Sequence, residues 1–251
     1  ETLGYFTQFG TICDSLNSIF NSQNFCYENF NELLDLYEDF YLRPKILKIL
    51  NYLKEKKKNN QCYKVMIYTN NQGPKKWTVY LKNYFVYKLG NYNLFDQIIA
   101  AFKINGRQVE PNRSSHEKNM KDFYQCTKIP ENVEICFIDD QYHPGMKDKK
   151  VYYINLKPYY FNLSSSEIID IFMKSRFAKM IKKEDEEKVK QNIKNYIDKY
   201  KDRITSKDKI KIHRIVSKKV FQHLKLFFGE THNKTLKKKE ILNKTVKIKK
   251  N

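Results

Sequence analysis

The sequence predicts an α/β protein built around a small parallel sheet. Short apolar runs at residues 62–68, 135–138 and 151–156 are bounded by turn-forming residues, as is typical of buried strands. Helical apolar spacing at residues 77–87 precedes a segment, 94–102, in which we expect a short helix leading to a further strand. An alternation of strands and helices indicates βαβ units with right-handed crossovers.

The length and composition are those of a globular protein. At 251 residues, 41% of them hydrophobic, the chain can form one domain with an accessory part or two small domains. No apolar run approaches the eighteen or so residues of a bilayer span, and no signal pattern opens the chain. These features predict a soluble intracellular protein, cytoplasmic or nuclear. The five cysteines are scattered without a CxxC pair, so we expect neither a disulfide framework nor a zinc site.

The charge is strongly basic and unevenly distributed. The net charge is +20, yet residues 1–42 contain seven acids and no Lys or Arg, so the rest carries 48 basic against 21 acidic residues. Such an excess favours nucleic acid or another acidic partner. Only six of the basic residues are Arg, the better reader of phosphates and bases. Nucleic-acid binding is therefore not the first interpretation.

Helical segments are predicted before the first strand and between later strands of the chain. Residues 5–42 are acidic and aromatic with helical spacing, which predicts a small helical insertion. A helix follows from Leu42-Arg43-Pro44, and another is expected over residues 117–126. Residues 106–115 are polar and interrupt the apolar pattern that predicts helices and strands.

The character of the chain changes after Pro158. Ser164 and Glu167 form a capping-box pattern before a helix that we expect to run through Ile181. Amphipathic helices are predicted at residues 184–201 and 207–228, and residues 234–251 form a basic tail that we expect to be disordered. We therefore divide the chain into residues 1–157, a helical extension at 158–233, and the tail.

Candidate functional residues follow the predicted strands. Asp139 and Asp140 come directly after an apolar strand, and ligands of open α/β sheets bind beyond such carboxyl ends. Two carboxylates suit Mg²⁺, which takes oxygen ligands and usually shares them with a substrate phosphate. Thr69 ends the first strand and supplies a hydroxyl for a phosphoryl oxygen, while Lys118 can neutralise phosphate charge.

These stretches resemble the haloacid dehalogenase (HAD) superfamily of phosphohydrolases, which carry four short motifs at the edge of a Rossmann-like sheet. KVMIYTNN resembles the second motif, with Thr69 as its hydroxyl residue, and ICFIDDQYHPG resembles the fourth, with its metal acids. Lys118 in HEKNMKDF is the best match for the third, although Arg113 or Lys121 could serve. The resemblance implies Mg²⁺ at Asp139 and Asp140.

The same resemblance implies the other roles. Thr69 and Lys118 would act in catalysis, and Asn70, Asn71 and Arg113 would bind the substrate. The segment LRPKILKIL also resembles the branch related to RNA-polymerase C-terminal-domain phosphatases. That branch has Asn where this chain has its second acid, which argues against a protein phosphatase.

The first motif of the family ends in Asp-x-Asp-Glu-Thr-Leu/Val-Gly. Glu1-Thr2-Leu3-Gly4 match its last residues, so the nucleophilic aspartate and the acid/base aspartate would lie just upstream of Glu1, on the first strand of the sheet. On this interpretation the chain lacks that strand, residues 5–42 act as a small cap, and we expect the chain itself to be inactive.

Simpler explanations exist for each candidate residue. Asp139 and Asp140 could cap a turn, and Thr69-Asn70-Asn71 could be only a strand-ending turn. Lys118 could be a solvated helix residue, and His143 beside Pro144 a turn residue. The alternative function is a non-catalytic HAD-fold protein that uses its basic helices to hold nucleic acid or an acidic partner. No membrane role is expected, and the sequence leaves the type of phosphorylated substrate open.

Overall fold

The computed structural model describes residues 1–199 and 208–230 of a mixed α/β protein. These residues form two compact units, and each unit is built from more than one segment of the chain. The first unit contains Glu1, residues 3–44 and residues 159–214, and the second contains Thr2, residues 45–158 and the chain from Ile215. The domain boundaries inferred from the sequence remain predictions.

The first unit is helical, as predicted for residues 5–42. Its helices are α1 (Thr7–Ile19), α2 (Phe25–Glu28), α3 (Phe30–Asp35), α4 (Glu38–Tyr41), α8 (Ser165–Met173) and α9 (Glu186–Lys199). Helix α9 packs against both α1 and α8. The core is aromatic: Phe9 lies 5.5 Å from Phe30, edge to face, and is surrounded by the rings of Tyr37 and Tyr41. Burial of large rings supplies most of the stability of such a core.

The expectation of no disulfide is wrong in this unit. Cys13 of α1 and Cys26 of α2 are disulfide-bonded, with their Cα atoms 5.2 Å apart. The pair is separated by thirteen residues, so sequence spacing gave no framework to recognise. Folding brings the two cysteines together because α2 turns back on α1.

The capping box at the start of α8 is confirmed, but the helix is shorter than predicted. Both reciprocal hydrogen bonds between Ser164 and Glu167 are present. The helix ends at Met173 instead of continuing to Ile181, and a short 3₁₀ turn, Ala178–Met180, follows. The chain leaves the helix because Phe177 is buried against Phe25, with their ring centroids 5.7 Å apart.

The second unit contains the six strands found among the described residues. Its elements are α5 (Ile46–Lys58), β1 (Met66–Tyr68), α6 (Lys75–Lys88), β2 (Gln97–Ile99), β3 (Lys103–Ile104), β4 (Arg107–Gln108), α7 (Met120–Thr127), β5 (Ile135–Asp139) and β6 (Val151–Asn155). Helix α10 (Asp208–Phe227) begins in the first unit and continues into the second, which starts again at Ile215. The basic tail at residues 234–251 lies outside the described residues.

Two strand pairs are parallel, as expected, but they are separate from each other. β1 pairs with β2 and β5 with β6, and among the described residues no ladder joins the two pairs into the single sheet that the sequence predicted. Both pairs nevertheless contribute to one apolar cluster with α7, in which Ile99, Phe123, Phe137 and Val151 are buried. The cluster fixes the carboxyl ends of β1 and β5 relative to α7.

Two local expectations in this unit need correction. The segment before β2 is irregular instead of helical, and the first strand is three residues long because Val65 donates its N–H to the Asp96 side chain at 2.8 Å. The polar stretch from Gly106 begins inside a hairpin between β3 and β4. Asn105 and Gly106 both have positive φ, at 49° and 76°, which matches the Asn-Gly type I′ turn.

None of the helices in the described part of the chain is both long and apolar enough to cross a bilayer.

Candidate functional site

A buried ion pair joins the third and fourth predicted motifs. The Lys118 ammonium lies 2.6 Å from Asp139 Oδ2, and both side chains are more than nine-tenths buried. The same ammonium lies 5.3 Å from the ring of Tyr68 at the end of β1 and 5.9 Å from the ring of Phe137 on β5. Lys118 therefore links the ends of the two strands that carry the second and fourth motifs.

Asp139 also caps the turn that follows β5, which is the simpler role that the sequence allowed for it. Its Oδ1 accepts the Gln141 N–H at 2.9 Å, and its backbone carbonyl accepts the N–H of Leu156 at 3.0 Å. An ionised carboxylate has about four acceptor positions. Asp139 can thus hold the turn and Lys118 and still present lone pairs to a cation.

Asp140 lies at the same strand end with a different partner. Its Oδ1 accepts a hydrogen bond from the Thr2 hydroxyl at 2.7 Å. Unlike Asp139, Asp140 is only partly buried. It is the more accessible of the two acids to a ligand in solvent.

Thr69 begins a chain of short hydrogen bonds beyond β1. Its N–H donates to the Ile99 carbonyl at 3.0 Å, which continues the pairing with β2. Its Oγ1 accepts the Asn71 N–H at 3.0 Å, and Asn71 Oδ1 accepts the Gly73 N–H at 2.7 Å. The loop is thus a strand-ending turn, and the Thr69 hydroxyl can still donate its proton to an anion.

Arg113 and Asn70 brace the loop that carries Lys118. The Arg113 guanidinium is 2% exposed and donates to the Ala100 carbonyl at 2.9 Å, to Asn70 Oδ1 at 2.8 Å and to the His116 carbonyl at 2.9 Å. Asn70 Nδ2 donates to that same His116 carbonyl. Their predicted substrate-binding roles remain predictions, and the contacts present hold Lys118 in place.

Asp122 is a buried residue of the candidate site that the sequence reasoning missed. It is fully buried in α7, and its carboxylate accepts hydrogen bonds from the Ser114 N–H at 2.9 Å and from the Ser114 hydroxyl at 2.8 Å. The backbone N–H of Asp122 donates to the Oδ1 atom of Asn119, which caps the helix. Burial raises the pKa of the Asp122 carboxyl, but the hydrogen bonds from Ser114 and Asn119 and the charge of Arg113 outweigh it and leave the pKa lowered. Asp122 therefore anchors the Lys118 loop to its helix.

His143, interpreted from the sequence as a turn residue in preference to a metal ligand, also faces the pair. Its ring is 4% exposed, with Nδ1 3.0 Å from Glu117 Oε1 and Nε2 3.7 Å from Asp139 Oδ1. The following Gly145 packs tightly on the Lys118 loop, since a Cβ there would fall 2.7 Å from the Asn119 Cβ. The His-Pro-Gly sequence was the available signal, but it indicates a turn and not which way the ring faces.

The donors at this end of β5 suit a hard cation. Mg²⁺ usually keeps several waters and takes one or two carboxylates, which Asp139 and Asp140 could supply. No group of three or more His, Cys, Asp or Glu side chains comes together as a metal site within residues 1–199 and 208–230. The carboxylates thus fit a shared magnesium site better than a closed protein cage.

Comparison with known proteins finds no match among family models, curated proteins or solved structures.

Proposed function

We propose that this chain carries the phosphate- and metal-binding part of a Mg²⁺-dependent phosphomonoester phosphatase of the HAD type. The observation that carries the proposal is the buried Lys118–Asp139 pair over the Tyr68 ring, because it gathers three separately recognised motifs at one place. The order of these motifs along the chain supports the same interpretation.

Each residue has a distinct task in this proposal. Lys118 neutralises charge on the phosphoryl oxygens, and the Thr69 hydroxyl donates to one of them. Asp140 and Asp139 would hold a Mg²⁺, which would offset the remaining negative charge. Arg113 and Asp122 keep Lys118 in position. On the resemblance, an aspartate preceding Glu1 would attack phosphorus while the ester oxygen leaves with a proton from the acid/base aspartate, and water would then hydrolyse the aspartyl-phosphate to free phosphate.

Magnesium binding tests the metal-binding part of the proposal directly. We expect titration calorimetry to detect Mg²⁺ binding to the chain as given, and Asp140→Asn to weaken it at least tenfold because a carboxylate ligand is lost. Glu134→Gln, an exposed acid just before β5, is the matched control and should bind normally. Equal loss in both variants, or no binding by the unmodified chain, contradicts the proposal.

Phosphatase activity tests the rest. The chain as given and a form extended upstream by about a dozen residues of its native reading frame, enough for one strand and its turn, are compared on an aryl phosphate with Mg²⁺. We expect activity in the extended form only, abolished by Asp139→Asn. If neither form is active and neither binds Mg²⁺, the phosphatase interpretation is wrong.

A second candidate is a binding protein that acts through α10. Ile212 and Ile215 are 46% and 58% exposed on this helix, between the exposed cations Lys211, Arg214 and Lys218. Exposed isoleucines within a basic face favour an acidic partner. The two functions are compatible, because α10 does not contribute to the Lys118 site.

A further inference from the structure

Tyr142 presents an aromatic ring close to the proposed phosphate site. It lies two residues after Asp140, so their Cα atoms are at most about 7.6 Å apart along a trans backbone. Half of its surface is exposed, and its ring stacks on that of Tyr153 of β6 with centroids 5.8 Å apart and planes at 14°. One face of the ring is thus supported while the side chain remains open to solvent.

The supporting ring of Tyr153 is held by hydrogen bonds to the residues immediately before and after Tyr142. The Tyr153 hydroxyl donates to the Gln141 carbonyl at 3.0 Å and accepts the His143 N–H at 2.8 Å. Tyr153 also packs edge to face on Phe137, 5.0 Å away. Tyr142 is therefore held on a rigid support that reaches back to β5.

Exposure alone would not distinguish Tyr142 in a chain with nineteen tyrosines. Tyr63 is more exposed, at 64%, but it precedes β1, at the end of that strand away from Thr69, and its ring contacts the Lys64 ammonium at 5.2 Å. Tyr142 differs in lying at the carboxyl end of β5, next to the acids, on a stacked aromatic support.

We infer that Tyr142 selects phosphomonoesters whose phosphate is attached to a planar aromatic group. This inference rests on the proposed function: Lys118, Thr69 and a Mg²⁺ hold the phosphate, and the exposed face of Tyr142 stacks on the organic part. Stacking tolerates any planar π-system, so phenyl phosphates and nucleoside monophosphates share the required chemistry. Aliphatic phosphates would gain nothing from this residue.

The test compares ligands that differ only in the aromatic group. Phenylphosphonate and methylphosphonate carry a stable carbon–phosphorus bond, and their affinities for the chain are measured by titration in the presence of Mg²⁺. We expect phenylphosphonate to bind about two- to tenfold more tightly, as one aromatic pair would provide. Adenosine 5′-monophosphate against ribose 5-phosphate, measured in the same way, shows whether a purine is preferred to a phenyl ring.

Three variants assign the preference to the ring. Tyr142→Ala should abolish the preference, Tyr142→Phe should keep it, and Tyr63→Ala should behave as the unmodified chain. Retention of the preference in Tyr142→Ala, or its equal loss in Tyr63→Ala, overturns the inference. Equal binding of the two phosphonates overturns the inference alone, whereas no binding of either overturns the proposed function with it.

Discussion

Single buried charges determine the geometry of the proposed site. Lys118 is paired with Asp139, Arg113 is bonded to backbone carbonyls, and Asp122 is bonded to Ser114. A buried charge is costly unless hydrogen bonds or an opposite charge compensate it. Each of these residues therefore has a compensating partner, and removing one partner leaves the other uncompensated.

Asp122→Asn should destabilise the protein at neutral pH. The amide keeps the shape of the side chain but cannot accept from both Ser114 donors, and a lost buried hydrogen bond of this kind costs about 1–3 kcal/mol. Because folding lowers the pKa of Asp122 below its ordinary value of 3.8, its stabilisation is complete above that value and is lost as the pH falls through the lowered pKa.

Urea unfolding at pH 7 and near pH 3 measures both effects. The difference between the unmodified chain and Asp122→Asn should shrink at the lower pH, because below 3.8 the Asp122 carboxyl of the unfolded chain binds a proton and the charge then stabilises the folded state less. Glu131→Gln, an exposed acid in the same unit, is the control and should leave the free energy of unfolding almost unchanged. A pH-independent difference would show that the charge of Asp122 is not what stabilises the loop.

The sequence identified some of these residues and not others, for physical reasons. Asp139 and Asp140 stood out because acids follow an apolar strand, whereas Lys118 was chosen among many lysines only by motif order. Asp122 and His143 act through burial, which depends on tertiary contacts that local patterns do not contain. Those contacts arise only when the Lys118 loop folds against α7 and the His-Pro-Gly turn.

At the scale of helices and strands, local sequence signals predicted where an element begins better than how far it extends. The Ser164–Glu167 capping box is confirmed, and the strand predicted at residues 135–138 begins at Ile135 and includes one further residue, Asp139, since each depends on neighbouring residues. The hairpin at Asn105–Gly106 was missed although its turn sequence was visible, because its two strands are only two residues long. The end of α8 was set by the distant contact between Phe177 and Phe25.

The capping box provides a prediction for α8. Ser164→Ala removes the acceptor for the Glu167 N–H and should lower the free energy of unfolding by about 1 kcal/mol. Ser165→Ala changes the next residue, the first of the helix, and should have a smaller effect because Ala is a good helix former. Chemical denaturation of the two variants side by side measures the difference. Equal losses would mean that the hydroxyl of Ser164 does not stabilise the helix.

At the scale of the whole molecule, charge is distributed by segment. The acidic residues of the first 42 positions belong to the first unit, while the exposed face of α10 carries cations. The sequence predicted this asymmetry directly, since composition needs no tertiary information. The separation into two strand pairs was not predictable in the same way, because apolar runs show that strands form and not which strands pair.

Substitution of the basic residues of α10 tests whether this helix binds nucleic acid or an acidic protein. Lys218 and Lys219 are exposed, and among the described residues neither forms an ion pair with a carboxylate. If α10 contacts phosphates, binding of a uridine RNA homopolymer should weaken steeply with salt. Replacing both lysines by Gln should then reduce the slope of log K against log salt by about 1.4, the value for two single-strand contacts.

The matched control uses lysines whose charge is already compensated. Lys188 and Lys190 on α9 pair with Asp185 and Glu187 at 3.0 and 2.5 Å, so replacing them by Gln should change the slope much less. An equal change in both double variants would mean that net charge, not α10, determines binding. If RNA does not bind at all, the exposed isoleucines of α10 favour a protein with an acidic, partly apolar surface, because desolvated apolar contacts form the centre of protein interfaces and charges their rim.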